Sequence, residues 1–231
     1  MIKVISLGGS IIAPDSVDTE FIGSFKAVVS EYLEGDPGRK LILITGGGAP
    51  ARAYQKAYRD VMPERGRSGD AQDWIGIAAT RLNGELMRGV FGEWCTDTLV
   101  TDPSAEFGFT GRVLVAAGWK PGFSSDFDAV MLAERFSAGT VVNLSNIAKV
   151  YTADPKIDPQ AEPLDRVSWK EFRKIVGDEW VPGKNAPFDP IATRRAAKLG
   201  LTVIVAAGRD LANLRNILLD RPFEGTVIGP D

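Results

Sequence analysis

Short runs of aliphatic and β-branched residues alternate along the chain with longer segments in which apolar residues recur at helical spacing. Ile2–Leu7 and residues 41–45, 98–101, 113–116, 140–144, 201–206 and 226–228 read as strands. Phe21, Ile22, Phe25, Val28, Val29 and Tyr32 fall on one face of a helix, as do Tyr54, Ala57, Tyr58 and Val61. A third helix runs through Ile75, Leu82, Leu86 and Val90, with Asp73 where an N-cap would stand. Further helices carry Val130, Met131 and Glu134, residues 167–176, residues 191–199, and Leu211, Leu214, Leu218 and Leu219. Glycine, proline and polar residues mark loops at 63–71, 103–112, 151–163 and 177–190.

The strands are continuous apolar runs, the pattern of parallel strands buried on both faces. Their alternation with helices predicts an α/β fold with a mostly parallel, doubly wound sheet and helices on both sides. No repeat, low-complexity tract or linker divides the chain, so residues 1–231 are expected to form a single domain.

Composition narrows the chemistry. The 231 residues are 44% hydrophobic and 25% charged, with a formal charge of −3, which fits an ordinary globular protein and argues against a basic nucleic-acid surface. Cys95 is the single cysteine, which excludes an internal disulfide framework and a multi-cysteine zinc site. There is no histidine, so no imidazole base, nucleophile triad or histidine-ligated metal is available. No stretch reaches the ~20 apolar residues of a membrane span, and the first residues do not form a signal peptide. These features predict a cytoplasmic protein without a membrane partner.

Two glycine clusters follow successive strands, Gly8-Gly9-Ser10 and Gly46-Gly47-Gly48. In open parallel sheets, ligands bind where such loops lead from strand ends into helix N-termini. Glycine lets the backbone approach an anion, and the helix start offers unpaired N–H groups. One Gly-Gly pair is a tight turn; two clusters at successive strand ends favour phosphate binding. Arg52, just beyond Pro50 in the next helix, has the planar fork that suits a phosphate. Gly46-x-Gly48-x-x-Ala51 matches a dinucleotide fingerprint but follows the second strand and lacks its acidic partner, and Gly177–Asn185 departs from a P-loop in spacing and in its last residue.

Longer motifs resemble one family. Gly46-Gly47-Gly48-Ala49-Pro50-Ala51-Arg52-Ala53-Tyr54, the helix Asp73-Trp74-Ile75-Gly76-Ile77-Ala78-Ala79-Thr80-Arg81-Leu82-Asn83, and Pro121-Gly122-Phe123-Ser124-Ser125-Asp126 running on to Leu132-Ala133-Glu134 are similar to segments of the amino acid kinase superfamily, in particular its archaeal-type uridylate (UMP) kinases. Val150-Tyr151-Thr152-Ala153-Asp154-Pro155-Lys156, Phe188-Asp189-Pro190-Ile191-Ala192 and Gly225-Thr226-Val227-Ile228 extend the resemblance in order along nearly the whole chain. The resemblance implies a three-layer α/β/α sandwich, transfer of a phosphoryl group from ATP to UMP with Mg²⁺, and assembly into a homo-oligomer, a hexamer.

It also implies site residues. Gly47, Asp73, Pro121, Gly122, Phe123, Ser124, Ser125, Asp126 and Phe127 would bind UMP, with Asp73 accepting from ribose hydroxyls. Gly9, Ser10, Gly48, Arg52, Ser145, Tyr151 and Asp154 would surround ATP. The acceptor is already an ionised phosphate, so no general base is needed. From the residues alone, Asp73 and Asp126 also read as helix caps, Tyr151 as a packing residue and Asp154 as a turn former.

The chain departs from the family pattern at two places. Ser6 stands where many members carry a lysine, and Lys3 on the same strand points to the other face. Ala148 and Lys149 replace a carboxylate and a glycine in the stretch before Tyr151. If a cation near the transferred group is required, Lys149, Arg52, Lys184 or Mg²⁺ must supply it, and Asp126, Lys149 and Arg52 are the candidate catalytic residues. A nucleotide or oxyanion storage protein on the same fold, or a kinase with another small acceptor, is the alternative.

Overall fold

The computed structural model describes residues 1–177 and 186–230. Its strands are β1 (Ile2–Leu7), β2 (Lys40–Thr45), β3 (Val113–Ala117), β4 (Thr140–Ser145), β5 (Val150–Tyr151), β6 (Pro163–Leu164), β7 (Arg166–Ser168), β8 (Thr202–Ala207) and β9 (Thr226–Gly229). The helices are α1 (Gly9–Ile12), α2 (Thr19–Glu34), α3 (Gly48–Val61), α4 (Gly69–Phe91), α5 (Ser125–Arg135), α6 (Trp169–Val176), α7 (Pro190–Leu199) and α8 (Leu211–Leu218).

Seven strands form one sheet in the order β3-β2-β1-β4-β8-β9-β7. The first five are mutually parallel, β9 runs antiparallel to β8, and β7 pairs parallel to β9. Side chains alternate across the sheet. Val4, Ile42, Ile44, Leu114, Val141, Val203 and Val205 enter one core with α5, α6 and α7. Ile5, Leu7, Leu41, Leu43, Val142, Leu144 and Ile204 enter the other with α1, α2, α8 and the end of α4. The three layers expected from the sequence are therefore present. Both faces of the sheet are buried, and this is why its strands carry no polar alternation.

Several boundaries differ from the sequence reading. Helix α4 begins four residues before Asp73, with Ser68 as its N-cap; the Ser68 hydroxyl accepts from the Ala71 amide at 3.3 Å. The first turn, Gly69-Asp70-Ala71-Gln72, faces largely outward, so the apolar rhythm starts later than the helix. Residues 98–101 contribute only an isolated bridge, Val100 to Ala116. Asp97, just before them, is committed to the hydroxyl and amide of Thr110 and the amide of Gly111, which turns the chain off the sheet edge. Residues 166–168 form β7 rather than the first turn of a helix, and α6 starts only where Ser168 caps it. Most of the expected 177–190 loop, including Lys184, lies outside the described residues.

Candidate active site

The strand order reverses at β1, whose neighbours are β2 on one side and β4 on the other. A ligand crevice in an open α/β sheet opens at the carboxyl ends of strands flanking such a point. Both glycine clusters lie there. The Gly46 amide donates to Leu7 and the Gly8 amide to Leu144, at 2.9 Å each, so each turn continues a ladder of the sheet. The two turns lie backbone on backbone: a Cβ on Gly9 would collide with the Gly47 and Gly48 amides, and one on Gly48 with the Gly9 and Ala13 carbonyls. Gly48 also adopts φ +65°, which side chains disfavour. Here glycine serves close approach, and the same bare backbone is what an anion would meet.

Helix α4 supports this junction. Asn83, 2% exposed, donates to the Gly46 carbonyl at 2.7 Å and to Gly47 at 3.3 Å. Gly47 is the N-cap of α3. On the β4 side, Asn146 donates to the Ser10 hydroxyl at 2.9 Å, and the Gly208 amide donates to the Ser145 carbonyl at 2.8 Å. Gly9, Ser10, Gly48 and Ser145, all expected around ATP, are thus gathered around the β1–β4 ends.

Asp126 sits at the centre. Ser124, not Asp126, caps α5, by accepting from the Phe127 amide at 3.2 Å, so the capping alternative for Asp126 falls away. The Asp126 carboxylate instead accepts from the Ser6 hydroxyl at 3.1 Å and from the Asp189 amide at 3.2 Å. Burial pushes its pKa up to about 6; the Asp189 amide and the Ser6 hydroxyl oppose that rise, and the Asp189 carboxylate adds to it. Ser6 therefore presents a hydroxyl to Asp126 where the family pattern places an ammonium. Lys3 turns to the opposite face and pairs with Asp220 at 2.5 Å, as strand alternation predicts.

The segment 118–124 joins β3 to α5 and is tied to α4. Asp73 lies within α4 and accepts from the Gly122 amide at 3.0 Å; it is neither a cap nor free of the segment expected around the acceptor. Pro121 and Gly122 lie at the tip, Gly122 with φ +83°. Phe123 packs, with tilted rings, between Trp119, 4.9 Å away, and Phe127, 4.7 Å away. Phe127 itself is buried in the core, so Phe123, Ser124 and Ser125 are the accessible part of that stretch.

Three expected residues are engaged elsewhere. Arg52 is exposed and donates to the Pro14 carbonyl at 2.7 Å, fastening α3 to the chain beyond α1. Asp154 accepts from the Lys156 amide in its own turn, as a turn former does. Lys149 pairs with Asp165 at 2.5 Å, and that hydrogen bond raises its pKa. Tyr151 is half-buried in the small β5–β6 ribbon.

Sequence reasoning missed Ser6 as a hydrogen-bond donor to Asp126, Asn83 and Arg81 as supports, and Asp128 and Asp189. Asn83 carried a signal, a polar residue on the inner face of an otherwise apolar helical pattern. Asp189 carried the signal of an Asp-Pro helix start, and its carboxylate indeed caps α7 through the Ala192 amide at 2.7 Å.

The sequence profile of the Amino acid kinase family matches residues 1–207. A uridylate kinase of Methanospirillum hungatei JF-1 is 32% identical over 228 residues, which cover 97% of this chain and 93% of that protein. One of Thermoplasma acidophilum is 31% identical over 230 residues, covering 99% and 96%. The crystal structure of uridylate kinase from Archaeoglobus fulgidus superposes with a TM-score of 0.83 at 31% identity, covering 99% of this chain and all of that one. A UMP kinase structure from Bacillus anthracis, at 18% identity and a TM-score of 0.77, shares the fold. Profile, near full-length identity and backbone agree: the chain belongs to the amino acid kinase family, on its archaeal uridylate kinase branch.

Proposed function

We propose that the chain is a UMP kinase, which moves the γ-phosphoryl group of ATP to the phosphate of UMP and releases UDP and ADP. The observation that carries this reading is the junction at the β1 end. Two bare glycine turns lie against each other there, and Asp126 reaches the same strand from the acceptor side through Ser6. In the reaction, an oxygen of the UMP phosphate forms a bond to the γ-phosphorus as the bond to the β–γ bridging oxygen breaks. That oxygen needs no deprotonation, because a phosphate monoester is ionised at neutral pH. Catalysis is then positioning and charge stabilisation, which a chain without histidine can perform.

Gly9, Ser10, Gly48 and Ser145 would hold the phosphates of ATP and Tyr151 would lie towards its nucleoside; Arg52 and Asp154 would join them only by leaving the Pro14 carbonyl and the Lys156 amide. Gly47, Asp73 and residues 121–127 would hold UMP, Asp126 fixing the geometry between the two. Among the described residues no three His, Cys, Asp or Glu side chains form a metal cage, and Mg²⁺ is best placed on the phosphates of ATP itself. Bound there, it would supply positive charge to the transferring phosphates. We place the protein in the cytoplasm; no described helix is long and apolar enough to cross a membrane. An ATP-coupled assay across UMP, CMP, dUMP and acetylglutamate tests the reading. UMP should exceed CMP in kcat/KM by at least about a hundredfold, because a site built on one polar edge leaves groups unpaired with the other base.

Lys149 as a replacement cation would have to leave Asp165. The pair is expected to hold, so Lys149→Ala should keep kcat within about threefold of the parent, a barrier change below ~1 kcal/mol. A loss of about 10²–10³ would instead identify Lys149 as an electrostatic stabiliser of the transition state.

The partner expected besides substrate is a second copy of the chain. Tyr54 is 71% exposed and Val61 80% on α3, while Trp74, Leu82 and Leu86 on the adjacent α4 are also exposed, Leu82 by 67%. Exposed apolar side chains on two adjacent helices suit an interface between copies, which supports a homo-oligomer and, with the family resemblance, a hexamer. Leu82→Asp should shift the sedimentation profile to a smaller species at micromolar concentration. An unchanged profile would place the interface elsewhere.

A further inference from the structure

Among the described residues, the start of the 118–124 segment is held by side chains alone. The Gly118 amide donates to the Thr80 hydroxyl at 2.8 Å, and Arg81 donates to the Gly118 carbonyl at 3.3 Å and to the Trp119 carbonyl at 2.9 Å. The fourth peptide group, the Trp119 amide, donates to Asp128 at 3.2 Å. Asp128 lies on α5, one turn after Ser124, and is 1% exposed. Its second carboxyl oxygen, Oδ1, is buried and has no hydrogen-bond partner among the described residues. An unpartnered buried oxygen is expensive to keep, and the positions that follow it, Ala129, Val130, Leu132 and Ala133, are apolar.

We propose that Asp128 is a positioning residue for the acceptor: its carboxylate grips the Trp119 amide, this sets the entry of the segment that holds UMP, and protonation loosens the grip. The ligand named here rests on the UMP kinase reading; the grip itself does not. The path is short. The Trp119 ring packs on Phe123 at 4.9 Å, and Phe123 stands in the stretch expected around the base. Lys120 lies 3.8 Å from the centre of the same Trp119 ring and joins the cluster to the loop tip.

A hydrogen bond to an ionised carboxylate is roughly twice as strong as one to a neutral acceptor. Burial raises the pKa of Asp128 to about 7, so the change of state falls at neutral pH. The charged groups acting on it are Asp126 on its own helix and Asp102, which raise the pKa further, and Arg81 from α4, which lowers it, as the Trp119 amide does. The other elements packed on α5 add little. Lys3 of β1 faces away to Asp220, Lys40 of β2 donates to the Phe109 carbonyl, and β3 and β4 carry no titratable residue. On α7, Arg195 is paired with Glu134, and Asp189 caps that helix.

The test combines steady-state kinetics of Asp128→Asn from pH 6 to 8 with hydrogen exchange at the Trp119 amide in the ligand-free protein. UMP itself titrates near pH 6, so the quantity read is the ratio of the variant's KM for UMP to the parent's. This ratio should be near 1 at pH 6 and rise to about fivefold to tenfold at pH 8, with kcat and the KM for ATP changed less than twofold. Protection of the Trp119 amide, corrected for intrinsic exchange, should rise with pH through 7 in the parent and stay flat in the variant. A KM ratio independent of pH, together with unchanged protection, would overturn the proposal. Should Asp128→Asn not fold, a parent Trp119 protection that does not change across pH 7 relative to neighbouring amides overturns it equally. Absence of UMP turnover in the parent would refute the function and with it the acceptor role, and is told apart because the exchange measurement needs no ligand.

Discussion

Asp126→Ala is expected to lower kcat/KM for UMP about 10²-fold while leaving the fold intact. The carboxylate ties three elements at one point: Ser6 on β1, α5 that carries it, and the Asp189 amide at the start of α7. Alanine frees the Ser6 hydroxyl and leaves the Asp189 amide without its acceptor, and each unpaired group costs about 1–3 kcal/mol if it stays dry. The same change removes a carboxylate whose ionised form burial disfavours, which offsets part of that cost, so global stability should fall modestly. Activity should suffer more. Phosphoryl transfer depends on in-line placement of donor and acceptor, and a displacement of about 1 Å can cost about 10² in rate. Steady-state kinetics beside a thermal melt separate the two effects. A variant with parental kcat/KM would show that the Asp126 junction is scaffolding only.

The second large effect is on stability. Asp128 holds its proton up to about pH 7 in the folded protein, whereas an unfolded aspartate releases it near 3.8. Between those values the folded state binds more protons than the unfolded one, so stability falls as pH rises. The penalty is absent below about pH 4 and complete above about pH 7. A move from 3.8 to about 7 corresponds to roughly 4 kcal/mol against the ionised form. Even a quarter of that would shift Tm by about 2–4 °C in a chain of this size. Asp126, raised for the same reason, acts in the same direction. The parent should therefore lose several degrees between pH 5 and pH 8, and Asp128→Asn should lose clearly less. Equal losses in the two proteins would mean that Asp128 is ionised throughout. An ionised Asp128 thus weakens the fold while strengthening the hold on Trp119, and that cost is what makes the residue informative.

How much of this could be read from the chain differs between elements. The parallel strands were legible because both of their faces are buried, which leaves uninterrupted runs such as Val113–Ala117. Register and strand order were not, since a run buried on both faces looks the same beside any neighbour. The start of α4 was misplaced because a cap is one hydroxyl, Ser68, and its polar first turn has no apolar rhythm. The glycine turns were legible as a pair, but their contact with each other is a tertiary fact. Asp126 and Asp73 were legible through the motif, while their partners, Ser6 and the Gly122 amide, lie 120 and 49 residues away. Asp128 had no signal at all: one carboxylate in a helix reads as solvated until packing shows that it is buried.

Phosphoryl transfer to UMP is proposed to occur at the β1 junction. Phosphorus NMR of the purified protein with Mg²⁺, ATP and UMP tests it most directly, because donor and acceptor phosphates are resolved in one sample. UDP and ADP should appear in equal amounts, CMP in place of UMP should yield at least about a hundredfold less product at matched concentration, and Asp126→Ala should slow both signals together. ATP and UMP that remain unchanged, or ADP that forms with inorganic phosphate and no UDP, would contradict it.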